Sequence, residues 1–558
     1  MRIQSLPCLA AKLLCAIFCA DFLSMLGMNI FRLPTHRLPF LFFFFLIAVS
    51  ISIARSALFA AVSPADLTGR CQAVLTVFVL IAGILFSAAR LPYLLEGRLQ
   101  HLVGPVLYDD TWHFQEISSL VNSARYPAHF SLVPHAYFSL YYASWMLIAA
   151  LYLGIPLAGF TVKAAFAVGC AIYMILIPLA LLHVAISQAH TRRQIYWAIY
   201  LVGCWGGLES IFSLLYYVSR NAKWLVATQP AIYFPVFSAG IVWAPHHMTA
   251  AAALILCWYL WTHRRSQDWP AVLYCGLLVS FTFYASIFVF LGAIPLGLLM
   301  VMQDVRARRE WLQPLAAAAL STVLIWPMLW LYLGKTSDVR FLFPMITNLQ
   351  TLFPNMHLPV NSHSAVAMGV ALLVFLVYLL LNFLPFTVAL GACGKPLTDS
   401  QKAAVFLICL FFLSTFFWGF QEGDNYASRG FLVPMLVLGW ICAGLMPSVP
   451  RRSGILVLLI LGSFGPAHEM VEIYRKGYVV CRTPITRRHD RTILSINRDR
   501  SIRSVQPNLW PAEPQQLYEI QKFIDGGKQN LVTADHQLES PGPAGPWRWQ
   551  RTPSDGER

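Results

Sequence analysis

The chain has 558 residues, of which 58% are hydrophobic and only 12% charged, and its formal net charge is +15. A soluble domain carries about 25% charged residues, so this composition excludes a soluble globular protein and indicates a polytopic membrane protein. The positive charge does not require a nucleic-acid partner, because membrane proteins concentrate basic residues in their cytoplasmic loops.

Apolar runs long enough to cross a bilayer, about 20 residues each, recur along most of the chain. The run at 271–302 is too long for one span and short for two, and contains Ser286 and Pro295, so we expect a broken or re-entrant pair there. The first run is expected to be a transmembrane helix rather than a cleaved signal. The other predicted spans lie near 12–29, 39–60, 71–89, 138–157, 159–186, 195–216, 237–262, 311–333, 365–390, 402–419, 430–447 and 453–470.

The fold class predicted from these runs is an all-α polytopic membrane protein with roughly 12 to 14 transmembrane helices. The expected organisation is N-terminal helices over 1–89, an extracytoplasmic first large loop over 90–136, a transmembrane core over 137–470 and a basic soluble tail over 471–558, disordered at its end. The tail lies outside if the span count is right, but so basic a segment suits the cytoplasmic side equally well.

Basic clusters between the runs predict which loops are cytoplasmic. Two spans between 137 and 187 would place one of these clusters on the wrong side, so one of those runs is expected to be re-entrant or interfacial, unless that cluster is an exception. Tyr137, Tyr141 and Tyr142 favour an interfacial helix. The clusters are Arg192 and Arg193, Arg264 and Arg265, Arg306, Arg308 and Arg309, Lys395 and Lys402, and Arg451 and Arg452.

The first candidate motif is LYDDTWHFQEISSLVNSARYP, residues 107–127, which hydrophobicity does not explain. On a helix, Asp109, His113 and Glu116 share one face, whereas Asp110 lies off it. Carboxylates beside a histidine suit a general base or a divalent cation. The alternative is a solvated helix cap.

Two further motifs carry polar residues beside predicted spans. WAPHHM places His246 and His247 near the start of a span, where polar groups usually face a cavity or the protein interior. Adjacent helix positions point about 100° apart, so at most one of the two histidines is expected to face a given cavity. QEGDNYASRGFLVP carries Asp424 and Arg429 before another span, where the arginine needs a carboxylate partner or an anionic ligand.

The twelve cysteines are scattered mostly through apolar runs without a CxxC pair, so buried thiols are expected rather than disulfides or a metal cluster. No cofactor is predicted with certainty, although the acidic motif leaves a divalent cation possible.

The three motifs resemble those of large integral membrane glycosyltransferases of the GT-C type and their uncharacterised bacterial relatives. YDDTWHFQEI is similar to an Asp-x-x-Trp-His pattern in their first outer loop, and WAPHH to a Trp-x-Pro-Gln-His pattern, with His246 in place of the glutamine. DNYASRGFLVP is similar to an Asn-Asp-x-x-x-Arg run, with the acid and amide exchanged at Asp424. The resemblance spans about 107–440 and rests on these three short motifs.

The resemblance implies a polyprenyl-phosphate sugar as donor and a glycan, lipid or protein as acceptor, on the outer face of a bacterial inner membrane. Asp109 would then be the base of an inverting transfer. Arg429 and His247 would bind the departing phosphate. His113 would relay or orient a proton, while Asp110, Glu116, His246 and Asp424 would bind substrate.

Two other functions remain as alternatives. One is a lipid or polysaccharide transporter or flippase, although no internal repeat is visible and the polar residues cluster at one predicted face. The other is a non-catalytic membrane scaffold related to glycosyltransferases, which the altered second and third motifs keep open.

Overall fold

The computed structural model describes a mainly helical protein. It describes residues 3–56, 58–59, 64–95, 110–130, 133–137, 141–157, 160–203, 240–242, 244–264, 268–308, 311–333, 339–340, 397–415, 419–420 and 429–446, with scattered positions between 369 and 391 and between 457 and 474. Most of the predicted spans at 365–390 and 453–470, and nearly all of the predicted tail, lie outside these residues.

Apart from the helices at Leu91–Leu95 and Asp110–Asn122, each described α-helix lies largely within one of the predicted apolar runs. In chain order they are α1 (Leu6–Ile30), α2 (Leu38–Arg55), α3 (Gly69–Ala88), α4 (Leu91–Leu95), α5 (Asp110–Asn122), α6 (Met146–Gly154), α7 (Val162–Gln188), α8 (Arg192–Gly203), α9 (Pro245–His263), α10 (Trp269–Ala285), α11 (Ile287–Arg308), α12 (Leu312–Leu333), α13 (Asp399–Ser414) and α14 (Leu432–Leu445). Two short antiparallel ladders join β1 (His129–Phe130) to β2 (Val133–Tyr137), and β3 (Val339–Arg340) to β4 (Gly419–Phe420).

Among the described residues, six helical segments are long and apolar enough to cross a membrane, which agrees with a helical membrane protein. α1 is the central helix, because 72% of its most apolar stretch is buried, against 22% in α2. The outer faces of α2 and α3 expose large apolar side chains such as Ile47 and Val74, as expected of helices that face lipid. The six segments are Leu6–Ile30, Thr35–Arg55, Gly69–Ala88, Val162–Gln188, Ile287–Ala307 and Leu312–Leu329.

The predicted span at 138–157 contains only a short helix. α6 has nine residues and is preceded directly by a four-residue 3-10 helix, Tyr142–Trp145. Together they span about 21 Å, whereas the hydrocarbon core is about 30 Å thick. Both ends of this region contact the end of the bundle at which α1 finishes: the Tyr142 hydroxyl donates to Asn29, and Gly154 packs on Pro39. This short helix agrees with one of the two options that the parity of the basic loops leaves open, a re-entrant or interfacial run rather than an exceptional basic pair.

The long run at 271–302 is a broken pair of helices, as its sequence predicts. α10 ends at Ala285, and Ser286 adopts an extended conformation before α11 begins. The predicted span near 237–262 is also interrupted: residues 240–242 are helical, Ala244 is not, and α9 begins at Pro245, because proline has no amide hydrogen and is favoured in the first helical turn. His246 and His247 therefore lie in the first turn of α9.

The helices have two chemically different ends, which we name by their residues. The motif end contains His113, His246, Ser286 and Gly430, and is linked by the hydrogen bond of Ser144 to Thr249 and by the contact of Gly292 with Gly430. The basic end contains Arg192, Arg264, Asp304 and Ser400; there Arg192 bonds to Asp66 through its backbone amide, and Gln188 bonds to Thr262.

A substitution at Gly292 on α11 tests the close contact between this helix and Gly430, which lies next to Arg429 of the third motif. A Cβ atom at Gly292 would overlap the carbonyl oxygen of Gly430, next to Arg429, whereas a Cβ atom at Gly297 on the same helix would meet nothing within 4 Å. We expect Gly292→Ala to lower the thermal unfolding midpoint in detergent, and Gly297→Ala to leave it unchanged or raise it, because alanine favours helix. Equal midpoints for the two variants would contradict this packing.

Candidate functional site

Asp110 begins α5 and is locked in a buried ion pair. Its Oδ1 lies 2.8 Å from the guanidinium of Arg90, and the Tyr93 hydroxyl donates to Oδ2 at 2.6 Å. Arg90 also donates to the carbonyl of Val242 at 2.6 Å, so it ties the residues after α3 to α5 and to the residues before α9. Burial, the largest single effect, lowers the pKa of Arg90, but Asp110, Cys170 and Tyr93 together outweigh it and raise that pKa above its ordinary value.

His113 and Glu116 lie on one face of α5, as the spacing in the sequence predicts. The Nδ1 atom of His113 is 3.1 Å from a carboxylate oxygen of Glu116, and the indole N–H of Trp145 donates to the same oxygen at 2.9 Å. The Trp145 ring also packs on His113, with 4.9 Å between ring centroids. All three side chains are buried, so Glu116 and Trp145 fix the orientation of the imidazole.

The two histidines of the second motif contact each other but point to different partners. Their Nε2 atoms are 3.0 Å apart, so one ring donates a hydrogen bond and the other accepts it. The Nδ1 atom of His247 lies 2.7 Å from the hydroxyl of Ser286, at the break between α10 and α11. His246 instead packs against His113, with 4.9 Å between centroids. Only His246 thus faces the first motif.

Tyr141 connects the second motif to the third. Its ring lies 4.0 Å from His246 and 4.9 Å from His247, centroid to centroid. Its hydroxyl accepts a hydrogen bond of 3.1 Å from the guanidinium of Arg429, directly before α14. The backbone of Tyr141 is left-handed, with φ near 50°, a conformation that non-glycine residues adopt rarely and often at functional sites.

The structure therefore brings five predicted site residues into one cluster: His113, Glu116, His246, His247 and Arg429. Asp110 is close by but is held by Arg90 and Tyr93. The remaining two, Asp109 and Asp424, lie outside the described residues.

Several residues of the site could not be recognised from the sequence. Arg90 and Tyr93 stand beside an apolar run, and Trp145 lies within one, where an aromatic residue usually signals only packing. Tyr141 was predicted to lie at the membrane interface, and its contacts with two motifs were not expected. Ser286 had been noted only as an interruption of a long run.

Two ring nitrogens in the cluster make no hydrogen bond to the described residues. The Nε2 atom of His113 and the Nδ1 atom of His246 are buried and have no hydrogen-bond partner among the described residues. Buried polar atoms usually have one, so these nitrogens are suited to bind a substrate hydroxyl or to carry a proton. No group of three or more metal-binding side chains occurs among the described residues.

In comparisons with protein-family models, with curated proteins and with solved structures, the chain has no match.

The ion pair between Arg90 and Asp110 can be tested by its effect on stability. Removing one member of a buried pair leaves an unpaired buried charge, which costs about 3–5 kcal/mol. We expect Arg90→Met and Asp110→Asn each to lower the thermal unfolding midpoint strongly, and the double variant to lower it less than the sum of the two.

The matched control is Lys402→Met, which removes the exposed ion pair with Asp399, 3.2 Å long, at the basic end. Exposed pairs stabilise proteins very little, so the midpoint should not move measurably. Additive losses in the double variant would argue against a coupled pair at Arg90 and Asp110.

Proposed function

We propose that the protein is a GT-C-type membrane glycosyltransferase that transfers a sugar from a polyprenyl-phosphate donor to a glycan, lipid or protein acceptor. The observation that carries this proposal is the convergence of described residues from all three motifs, far apart in the chain, around Tyr141 and His246. A solvated helix cap or a lone interior histidine would not need this convergence.

In the proposed reaction, the acceptor hydroxyl oxygen attacks the anomeric carbon on the face opposite the phosphate. Asp109 takes the hydroxyl proton, the bond from the anomeric carbon to the phosphate oxygen breaks, and polyprenyl phosphate leaves with the electron pair. The configuration at the anomeric carbon inverts. A general base of this kind must lie within hydrogen-bond reach of the attacking hydroxyl.

The departing phosphate needs fixed positive charge or hydrogen-bond donors. Arg429 supplies the charge, and its bond to Tyr141 fixes it beside His247. The proposal gives His247 the role of second donor to the phosphate, which requires one of its bonds to His246 or Ser286 to be exchanged for a bond to the phosphate. Asp424, from the same motif as Arg429, contributes to substrate binding. A guanidinium is well suited to phosphate because its N–H groups match two oxygens at once.

The other predicted residues are assigned by their contacts. Glu116 accepts from Trp145 and holds His113, which leaves Nε2 of His113 for a substrate hydroxyl or a relayed proton. His246 offers Nδ1 in the same way. Asp110 supports the site through Arg90, because that ion pair fixes the first residue of α5, directly after Asp109 in the chain.

The proposed setting is the inner membrane of a bacterium, with the motif end on the extracytoplasmic side and the basic end in the cytoplasm. Support comes from the positive residues of the basic end, since cytoplasmic loops carry an excess of lysine and arginine. A divalent cation that assists the phosphate remains part of the proposal as an optional component.

The adjacent acids Asp109 and Asp110 give a sharp test of the function. Purified protein is incubated with radiolabelled polyprenyl-phosphate sugars, and release of polyprenyl phosphate is measured. We expect Asp109→Asn to abolish release while leaving the thermal unfolding midpoint unchanged, because it replaces a carboxylate base with an amide of the same size.

Asp110→Asn is the matched variant one residue away, and it should lower the unfolding midpoint. Full release by the Asp109→Asn variant would remove this residue from the mechanism. If no donor is cleaved by the wild-type protein, the transporter or scaffold alternatives replace the enzyme.

Arg429 is expected to act on the leaving phosphate. Removing a group that stabilises transition-state charge typically slows an enzyme about 10²–10³-fold. We expect Arg429→Gln to reduce the rate of release by this order at saturating donor, and Arg429→Lys to retain part of the rate because the charge remains. Tyr141→Phe keeps the ring and the charge, so it should have a smaller effect than Arg429→Gln. Unchanged release by the Arg429→Gln variant would contradict the role.

A further inference from the structure

A large cavity lies away from the motif end, among the described helices. Its volume is about 800 Å³, within the range of about 300–1,000 Å³ that is usual for ligand sites. On α9 it is lined from Leu254 to Thr262, which lie 7 to 15 residues from His247, or about 10 to 22 Å along the helix, and none of the residues of the cluster around Tyr141 lines it. The cavity is therefore separate from the cluster around Tyr141.

The walls of this cavity are almost entirely apolar. α3, α7 and α11, which contribute to the walls, are candidate membrane spans, so the cavity lies at membrane depth. Gly203 on α8 and Gly297 on α11 line it, and an added Cβ atom at either position would meet nothing within 4 Å. Apolar cavities of this kind do not hold water stably, so the chemistry of the walls calls for a hydrocarbon occupant.

Polar groups line the cavity at one end, the basic end. They are Thr262, Gln303, Asp304, Ser400 and Gln401. Asp304 forms a mostly buried ion pair with Arg264, and the Nε atom of Arg264 donates to Gln313 at 2.8 Å. An apolar body with a polar rim matches the division of a lipid into acyl chains and headgroup.

The chain connections beside this rim carry a net positive charge in the sequence. The described cations on the adjoining residues are Arg264, Arg306 and Lys402, and the described acids are Asp268, Asp304 and Asp399, so these charges balance. In the same connections the sequence adds Arg265, Arg308, Arg309 and Glu310, three positive charges and one negative, which brings the net charge to +2. Anionic headgroups are attracted to such clusters by about 1 kcal/mol for each basic residue.

We propose that this cavity binds an anionic phospholipid of the adjacent leaflet, with its acyl chains between α8, α9 and α11 and its headgroup at the rim formed by Thr262, Gln303 and Gln401. The occupant is a lipid because the apolar walls belong to candidate membrane spans, and an anionic one because the connections beside the rim carry a net charge of +2 in the sequence. The site is distinct from the proposed donor site and does not rest on the proposed transferase activity.

Lipid retention by the full-length protein tests the site. The protein is reconstituted in vesicles of phosphatidylcholine and phosphatidylglycerol with matched chains, extracted in detergent, and analysed by native mass spectrometry. We expect the wild type to keep phosphatidylglycerol in preference to phosphatidylcholine. Gly297→Trp should abolish retention, because the indole fills the cavity, and Gly203→Leu should weaken it from another wall.

Leu298→Trp is the matched control, since Leu298 is 60% exposed on the same helix and does not line the cavity. It should retain lipid like the wild type. A wild type that keeps no lipid, equal retention of the two phospholipids, or retention of polyprenyl phosphate instead would overturn the proposal. So would undiminished retention in both filling variants.

Discussion

The arrangement of the motif end depends on how a buried carboxylate is neutralised inside an apolar protein. Asp110 is fully buried, and a carboxylate there is tolerated only with a charged or hydrogen-bonding partner. Arg90 supplies the charge and Tyr93 a second donor, while Arg90 reaches across to the carbonyl of Val242. One guanidinium thus sets the position of α5 relative to the residues before α9, and with it the distance between the first two motifs.

From this anchor, local sequence features aim the remaining side chains inward. Pro245 starts α9 directly before the two histidines, so both rings leave the first helical turn within reach of Tyr141. The break at Ser286 places a hydroxyl opposite His247. The absence of a side chain at Gly292 allows the backbone of Gly430 to approach, and so brings Arg429 close to Tyr141. Each contact has a residue-level cause, and all of them act on the same end of the bundle.

The sequence predicts the helices far better than it predicts the site. Length and hydropathy locate α1, α2, α3 and α7 to within a few residues, because a bilayer imposes a minimum apolar length. The same criterion fails for α6, whose nine residues lie in an apolar run as long as a span. Hydropathy measures how apolar a segment is, and a short helix that is buried among other apolar helices satisfies it as well as a long one.

The site residues that can be recognised in the sequence are the charged and titratable ones. His113, Glu116, the two histidines of α9 and Arg429 stand out in a chain with few polar groups, and spacing alone places His113 beside Glu116. Trp145 and Tyr141 do not stand out, because their rings contribute to hydrophobicity while their N–H and O–H groups make the specific bonds. The role of Asp110 was also hidden, since its partner Arg90 is twenty residues away and only the fold brings them together.

The two ends of the same helices carry different groups, the histidine and arginine cluster at the motif end and the rim of the apolar cavity at the basic end. This separation has a physical reason. α9 begins with His246 and His247 and ends beside the apolar cavity, while α11 begins next to Ser286 and ends at the ion pair of Asp304 with Arg264. Polar groups are tolerated at helix ends because they reach water or each other there, whereas the middle of each helix contacts hydrocarbon.

A cluster of histidines and an arginine needs a buried, structured end to stay oriented. A lipid chain needs only volume and apolar walls, which the small residues Gly203 and Gly297 provide. Chemistry at the motif end and lipid binding toward the basic end can therefore coexist on one set of helices without competing for residues.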